Sequence, residues 1–189
     1  MNIMSLFMSM DKMLGPDFER GLTLLKERVE AKAAKMANLE IKKMKYPSTA
    51  YAAIRSEIKM NDIKSFFESS YAAINMAMEG SGATMAGAPV GLFFKWDEEN
   101  GVADVAAGIP TRKRVETDEV QIFNLPEASA LYIDFYGPFE ETELAHWALM
   151  KYCEKSGIAI RGPVVEQYLT DPASEPDPDK WLTRVIYIL

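Results

Sequence analysis

The same short pattern occurs twice in the 189-residue sequence, as PVGLFFKWD at residues 89–97 and as PVVEQYLTD at residues 163–171. Each copy begins with Pro-Val, carries aromatic residues and ends with Asp. Each copy also follows a helix-like segment that is closed by a glycine, Gly82 in the first case and Gly157 in the second. The offset of 74 residues between Pro89 and Pro163 predicts a duplicated unit and pseudo-twofold symmetry.

The residues on either side of each copy predict the rest of the unit. Runs of β-prone residues separated by turns predict strands at 39–45, 49–58, 89–96, 102–109, 119–125, 129–135, 164–169 and 182–189. A helix is expected to begin at Asn61 or Asp62, and a second one near Glu140. Two β-α-β-β units predict an α+β fold. Because one unit cannot bury its own core, we expect the two units to join into one curved antiparallel sheet with both helices behind it.

A ligand site is expected on the front of that sheet, at the seam between the two units. Successive side chains of a strand point to opposite faces, so Glu166 and Tyr168 should share a face. The same alternation groups residues in the counterpart strand and in the last strand. If all these faces meet, they form a groove lined by Leu92, Phe94, Trp96, Tyr168, Trp181 and Tyr187.

Glu166 is the acid of this predicted groove. A glutamate on a solvent-facing sheet needs no explanation, and the aromatic residues by themselves are typical of a core. The repeat, however, places Leu92 where the second unit has Glu166, so one side of an apolar groove is singled out for a carboxylate. Aromatic walls around an acid suit planar or cationic organic molecules.

The first 38 residues differ from the rest of the chain. A narrow apolar stripe of Phe18, Leu22, Leu25, Val29 and Met36 predicts a helix over residues 14–37. We expect this stripe to pack on the following domain or on a second chain, which makes a homodimer or a partner domain possible. The division is therefore a helical extension at 1–38 and a domain at 39–189.

Composition argues against several classes of function. The formal net charge is −7, and the one basic cluster, Arg112-Lys113-Arg114, is flanked by acidic residues, so direct nucleic-acid binding is not expected. No apolar run reaches the ~20 residues that a membrane helix needs. The single cysteine, Cys153, excludes an internal disulfide and favours the cytoplasm.

No metal or cofactor is expected either. The single histidine, His146, and the single cysteine do not provide a zinc site. His146 lies on a predicted helix without a Ser or Cys nucleophile motif beside it, so a surface or packing role is favoured over catalysis.

Two stretches near the C-terminus resemble a known family. GPVVEQYLTDP at residues 162–172, followed by WLTRVIYI at residues 181–188, resembles the end of GyrI-like effector-binding domains. Such domains also form the ligand-sensing half of multidrug-responsive bacterial transcription regulators of the MerR and AraC types. The turns at Tyr136-Gly137-Pro138-Phe139 and at Gly87-Ala88-Pro89-Val90 are similar to family turns, with Tyr136 where histidine is common.

The resemblance implies a hydrophobic drug pocket with Glu166 at its base and with Tyr168, Tyr187 and Tyr136 at positions of the pocket. Some members of the family are described as hydrolases that open strained electrophilic rings with the same acid. Residues 11–30 also resemble the closing helix of a START-like domain, which is sometimes fused ahead of a GyrI-like one.

Three functions remain open from the sequence. The first is a stand-alone sensor or sequestering protein for hydrophobic, often cationic, small molecules, since one helix before residue 39 leaves no room for a helix-turn-helix. The second is a hydrolase in which Glu166 is the general base. The third is an interaction module of the topoisomerase-inhibitor type that uses its acidic surface.

Overall fold

A computed structural model describes residues 32–189 and, before them, only Arg20, Thr23, Leu24, Lys26 and Glu30. The chain divides into two compact units, residues 1–38 and 39–189. In the first unit, residues 32–37 are helical, and Lys26 and Glu30 form an exposed ion pair. The predicted stripe of Phe18, Leu22, Leu25 and Val29 lies outside the described residues, as does most of the segment with the START-like resemblance. Within the described part of the chain, no helix is both long enough and apolar enough to cross a bilayer.

The second unit contains eight strands and two α-helices. The strands are β1 (Lys42–Tyr46), β2 (Thr49–Lys59), β3 (Val90–Asp97), β4 (Val102–Pro110), β5 (Gln121–Leu125), β6 (Ala128–Tyr136), β7 (Val164–Tyr168) and β8 (Leu182–Ile188). The helices are α1 (Ile63–Ser81) and α2 (Glu143–Ser156). Short 3-10 turns lie at Met60–Asp62, Phe139–Glu141 and Pro178–Lys180.

All eight strands form one curled antiparallel sheet in the order β1-β6-β8-β7-β3-β4-β2-β5. This order is symmetric about the β7–β3 junction, because each strand of residues 42–110 lies opposite its counterpart from residues 121–188. The first strand of each unit pairs with the second strand of the other unit. The predicted duplication and the α+β architecture are therefore confirmed.

The two helices end in the same way. Gly82 and Gly157 adopt φ angles of 64° and 63°, a left-handed conformation that costs glycine little. In each case the N–H of the glycine and that of the next residue close back on the last turn, as Gly82 to Glu79 and Ala83 to Met78 in α1. This Schellman arrangement ends both helices at matching points before the central strands β3 and β7.

Both helices cover the same face of the sheet. Ile74 and Met78 of α1 pack on Ala52, Ala107 and Ile109 of β2 and β4. Helix α2 packs on β6 and β8, with Leu144, Ala145, Leu149 and Cys153 buried. The two central strands β3 and β7 thus lie between the helices, and a second core fills the other face of the sheet.

Candidate functional site

The pairing of β3 with β7 decides which side chains surround Glu166. Gly91 lies directly opposite Glu166, and Leu92 lies opposite Val165. Residues directly opposite each other share a face of the sheet. Glu166 and Tyr168 therefore point to the face that carries the helices, whereas Leu92 and Val165 point to the core on the other face. The prediction that Glu166 lies on the front of the sheet, away from the helices, is therefore wrong.

The predicted lining of the groove changes as a result. Leu92 is fully buried on the face opposite Glu166. Phe94 packs on that same core, where it contacts Phe123 edge to face with 5.4 Å between ring centroids and receives the Arg55 guanidinium at 3.6 Å. The expectation that Leu92 and Phe94 share a groove with Glu166 is therefore wrong.

Trp96 lies on the face of Glu166 for a reason that strict alternation misses. The register of β3 with β4 shifts between Phe93 and Lys95, which marks a β-bulge at Phe94. Because the bulge inserts one residue, Trp96 returns to the face of Phe93, and their ring centroids are 6.2 Å apart. Trp96 is half exposed there, at 51%.

The offset of the repeat also has to be corrected. A twofold axis perpendicular to a sheet relates residues on the same face. Because Gly91 and Glu166 share a face, the offset between β3 and β7 must be odd, and 74 is excluded. An offset of 75 superimposes Gly87 on Gly162, Val90 on Val165 and Gly91 on Glu166. The asymmetry at the centre of the sheet is thus between Glu166 and an odd-numbered residue of β3, not Leu92.

Gly91 leaves room for a tyrosine. A Cβ atom at Gly91 would lie 2.8 Å from the Tyr168 hydroxyl, 3.0 Å from Phe93 and 3.2 Å from Phe67. Real Cβ contacts are longer than this, so the hydroxyl reaches its place over the bare backbone of Gly91. From there it donates a hydrogen bond of 2.8 Å to Oε2 of Glu166.

Glu166 is only 7% exposed and uses both carboxylate oxygens. Oε1 accepts a hydrogen bond of 2.7 Å from His146 Nε2, and Oε2 accepts the one from Tyr168. An unpaired carboxylate at this depth would cost several kcal/mol of desolvation. Hydrogen bonds to a charged group contribute about 1.5–3 kcal/mol each, so the two partners offset much of that cost.

His146 was not predicted to belong to the site. It lies on α2, and its imidazole ring is 6.0 Å from the Tyr187 ring and 6.4 Å from the Phe93 ring. The signal in the sequence is helical spacing, because His146 interrupts a stripe of Thr142, Leu149 and Cys153 that is otherwise buried. Spacing places His146 on the inner face, but only the sheet register places Glu166 beneath it.

Tyr187 and Trp181 lie on the same face as Glu166. The Tyr187 hydroxyl donates to the backbone carbonyl of His146 at 3.2 Å and lies 3.4 Å from its Nδ1. Trp181 lies against Phe139, with 4.8 Å between centroids, and Phe139 in turn meets Tyr168 edge to face at 5.2 Å. Phe139 is a further aromatic neighbour that the sequence did not single out.

Tyr136 lies elsewhere. It is the last residue of β6, is 60% exposed and pairs with Leu182, whereas Phe135 beside it is buried on the helix face. Tyr136 therefore points away from Glu166, which contradicts its predicted place in the pocket.

Tyr71 of α1 completes the group that we call the Glu166 cluster, namely Glu166, His146, Tyr168, Tyr187, Tyr71 and Phe93. Its hydroxyl is buried and has no hydrogen-bond partner. Burial, and then the charge of Glu166, raises the pKa of Tyr71 and of Tyr168 above the ordinary value. Burial also raises the pKa of Tyr187 to about 12. All three phenols therefore stay protonated near neutral pH, and those of Tyr168 and Tyr187 donate hydrogen bonds.

The basic segment Arg112-Lys113-Arg114 lines a separate surface depression with Thr111 and Asn124. Arg114 pairs with Glu116 at 2.8 Å, and Lys113 donates to the carbonyl of Ser81. These local contacts fit the solvated loop that its flanking acids predict, and we assign no site there. In the part of the chain that the structure describes, no three His, Cys, Asp or Glu side chains are grouped as metal ligands would be.

Comparison with known proteins gives one family. The profile of the GyrI-like small molecule binding domain matches residues 39–188. No protein of curated function matches the sequence.

Several solved structures share the fold. The C-terminal domain of EcmrR is 15% identical, with a TM-score of 0.72 over 80% of this chain and 97% of its own. SAV2435 bound to tetraphenylphosphonium is 11% identical, with a TM-score of 0.61 over 79% of this chain and 93% of its own. A hydrolase from Listeria innocua is 17% identical, with a TM-score of 0.52 over 79% and 91%. At these identities the likeness shows the fold alone.

Proposed function

The chain belongs to the GyrI-like small molecule binding domain family, and from that premise we propose that the Glu166 cluster binds hydrophobic, often cationic, organic molecules. The observation that carries the proposal is a carboxylate that is 7% exposed, hydrogen-bonded at both oxygens and surrounded by aromatic rings. A buried carboxylate of this kind is a charge partner, because a cation that reaches it loses little to solvent screening.

The aromatic neighbours favour the same class of ligand. The rings of Phe93 and Tyr187 both lie near the His146 ring. Trp96 adjoins Phe93, and Trp181 adjoins Phe139, which contacts Tyr168. The faces of such rings attract cations and stack on planar groups. SAV2435, which has the same fold, is solved with an aromatic cation bound, and this supports the proposal.

The test compares two probes of equal shape and opposite charge, tetraphenylphosphonium and tetraphenylborate. Glu166→Gln keeps the side-chain volume and removes the charge. We expect it to weaken the binding of tetraphenylphosphonium by about 1–3 kcal/mol, the scale of a Coulomb interaction between charges several Å apart at an effective dielectric constant of about 20. Tetraphenylborate should bind equally well or better. Calorimetric titration measures both.

The matched control is Glu57→Gln, which makes the same change in net charge at an exposed position of β2. It should leave the affinity for both probes unchanged. Equal losses for the cation and the anion with Glu166→Gln would show that the acid is not a charge partner. No loss of affinity for either probe would show that the ligand site does not lie at the Glu166 cluster.

A second candidate is hydrolysis of strained or electrophilic small molecules, which the hydrogen-bonded pair of Glu166 and His146 favours. Glu166 would accept a proton from water while the water oxygen attacks an electrophilic ring carbon. The bond from that carbon to the ring heteroatom breaks, and the Tyr71 hydroxyl, which has no protein partner, would protonate the leaving atom.

Turnover separates the two candidates. An excess of an aryl epoxide incubated with the protein would gain the mass of one water under hydrolysis, and Glu166→Gln would abolish the gain. Binding of the same compound without any mass change would favour the first candidate.

A sensor or sequestering protein of the cytoplasm fits these properties best. The single cysteine provides no internal disulfide, which suits a reducing compartment. The net charge of −7 does not suit direct binding to nucleic acid.

A further inference from the structure

His146 covers the carboxylate that the proposed function gives to the ligand. Its side chain is 29% exposed, whereas that of Glu166 is 9% exposed. Because a carboxylate only accepts hydrogen bonds, the proton of this contact belongs to Nε2, and the imidazole donates to Oε1. His146 is therefore the donor of this pair and the more exposed of the two side chains.

The two partners of Glu166 differ in whether they can leave. The Tyr168 hydroxyl is seated over Gly91, 2.8 Å from where a Cβ atom would lie, and its ring packs on Phe139. His146 is partly exposed, and its backbone is fixed separately by the bond from Tyr187 to its carbonyl. Release of Oε1 thus needs only a rotation of the His146 side chain, with helix α2 left in place.

The imidazole also resembles the ligand class in its chemistry. It is a flat aromatic ring with an N–H donor on a carboxylate oxygen, and it lies among the rings of Phe93 and Tyr187. A cationic group that took its place would meet the same carboxylate oxygen and the same aromatic neighbours.

We infer that His146 is a built-in competitor that occupies the cation position on Glu166 and selects for ligands able to displace it. This inference rests on the proposed function. It predicts that the wild-type protein binds cations less tightly than it would if Oε1 of Glu166 were free. The difference in binding free energy is that of the hydrogen bond from His146 to the carboxylate.

The variant His146→Ala removes the competitor. We expect it to tighten tetraphenylphosphonium about 10-fold or more, the ratio that a charged hydrogen bond corresponds to. His146→Gln keeps an amide donor at similar reach, so its gain in affinity should be much smaller than that of His146→Ala. Trp147→Ala, an exposed neighbour on the same helix, should bind like the wild type.

A double variant separates competition for charge from simple loss of bulk. In Glu166→Gln the gain from His146→Ala should disappear, because no charged partner remains to be freed. The neutral probe triphenylphosphine oxide should gain much less than tetraphenylphosphonium. An equal gain for the neutral probe, or a gain that persists in Glu166→Gln, would overturn the inference.

The wild-type protein offers an independent reading, because His146 is its only histidine. Its imidazole signals in NMR are therefore unambiguous. Saturation with tetraphenylphosphonium should move them to the positions of a solvent-exposed ring, and unchanged signals at saturation would contradict displacement.

The two proposals fail in different ways. If Glu166→Gln leaves the preference for tetraphenylphosphonium over tetraphenylborate intact, the proposed function fails. If it abolishes that preference and His146→Ala does not tighten the cation, only the competitor role fails.

Discussion

At the scale of single residues, two tyrosine hydroxyls near Glu166 differ in one respect. Tyr168 donates to the carboxylate, whereas the Tyr71 hydroxyl is buried without a partner. We expect Tyr168→Phe to lower the free energy of unfolding by about 1.5–3 kcal/mol, because it leaves Oε2 of a buried charge unpaired. Tyr71→Phe removes only an unsatisfied group and should be neutral or stabilising. Urea unfolding of both variants measures the difference, and equal losses would contradict it.

The residues that the sequence identified are those that strand alternation alone decides. Glu166, Tyr168 and Tyr187 lie on adjacent regular strands, so their shared face follows from parity once β7 and β8 are paired. Leu92 was misplaced because alternation within β3 does not say how β3 aligns with β7. His146 was missed because its role depends on a contact across 20 residues of chain, from α2 to β7.

At the scale of the elements, the centre of the sheet is built around the close approach of β3 and β7. Gly91→Ala would place a Cβ atom 2.8 Å from the Tyr168 hydroxyl. We expect the hydroxyl to move off Glu166, with a loss of stability of about 1–3 kcal/mol, the scale of overpacking a core. Gly87→Ala is the matched control, because its Cβ would meet Pro110 at an ordinary 3.4 Å. A Gly91→Ala variant as stable as Gly87→Ala would show that the strands have room to spare.

The bulge in β3 shows what sequence patterns leave out at this scale. Leu92, Phe94 and Trp96 alternate perfectly in the sequence, and alternation predicts one face for all three. The extra residue at Phe94 splits them, so Trp96 joins Phe93 on the face of Glu166 while Phe94 joins the other core. The bulge depends on how β3 pairs with β4, and no residue in this stretch predicts it.

At the scale of the whole molecule, the fold was predictable because the same structural unit occurs twice in the sequence. Both units carry the same order of strands and one helix closed by glycine, so each supports the interpretation of the other. The pairing of β1 with β6 and of β5 with β2, in each case across the two units, was not predictable. Local signals place a strand in the sequence, whereas its neighbour in the sheet depends on the global arrangement.

Five of the eight tyrosines have a pKa that is raised by burial, and this makes the whole molecule sensitive to alkali; they are Tyr46, Tyr51, Tyr71, Tyr168 and Tyr187. A raised pKa means that the folded state keeps its phenol protons at a pH where the unfolded chain has lost them. Their contribution to stability is complete below about pH 10, the pKa of an unfolded tyrosine, and is lost as the pH rises above it.

Tyr187 provides the variant that measures this effect, because its pKa of about 12 lies within reach of experiment. A shift of about two units corresponds to about 2–3 kcal/mol of unfolding free energy between pH 10 and 12. Tyr187→Phe lacks an ionisable group, so its stability should fall less steeply than that of the wild type over this range, as measured by urea unfolding at half-unit steps of pH. Cys153→Ala removes the thiol beside Tyr187 and leaves the phenol in place, so this variant should keep the steep fall above pH 10. Parallel curves for Tyr187→Phe and the wild type would show that this phenol ionises as freely in the folded protein as in the unfolded chain, and that burial among α2, β7 and β8 does not hold its proton.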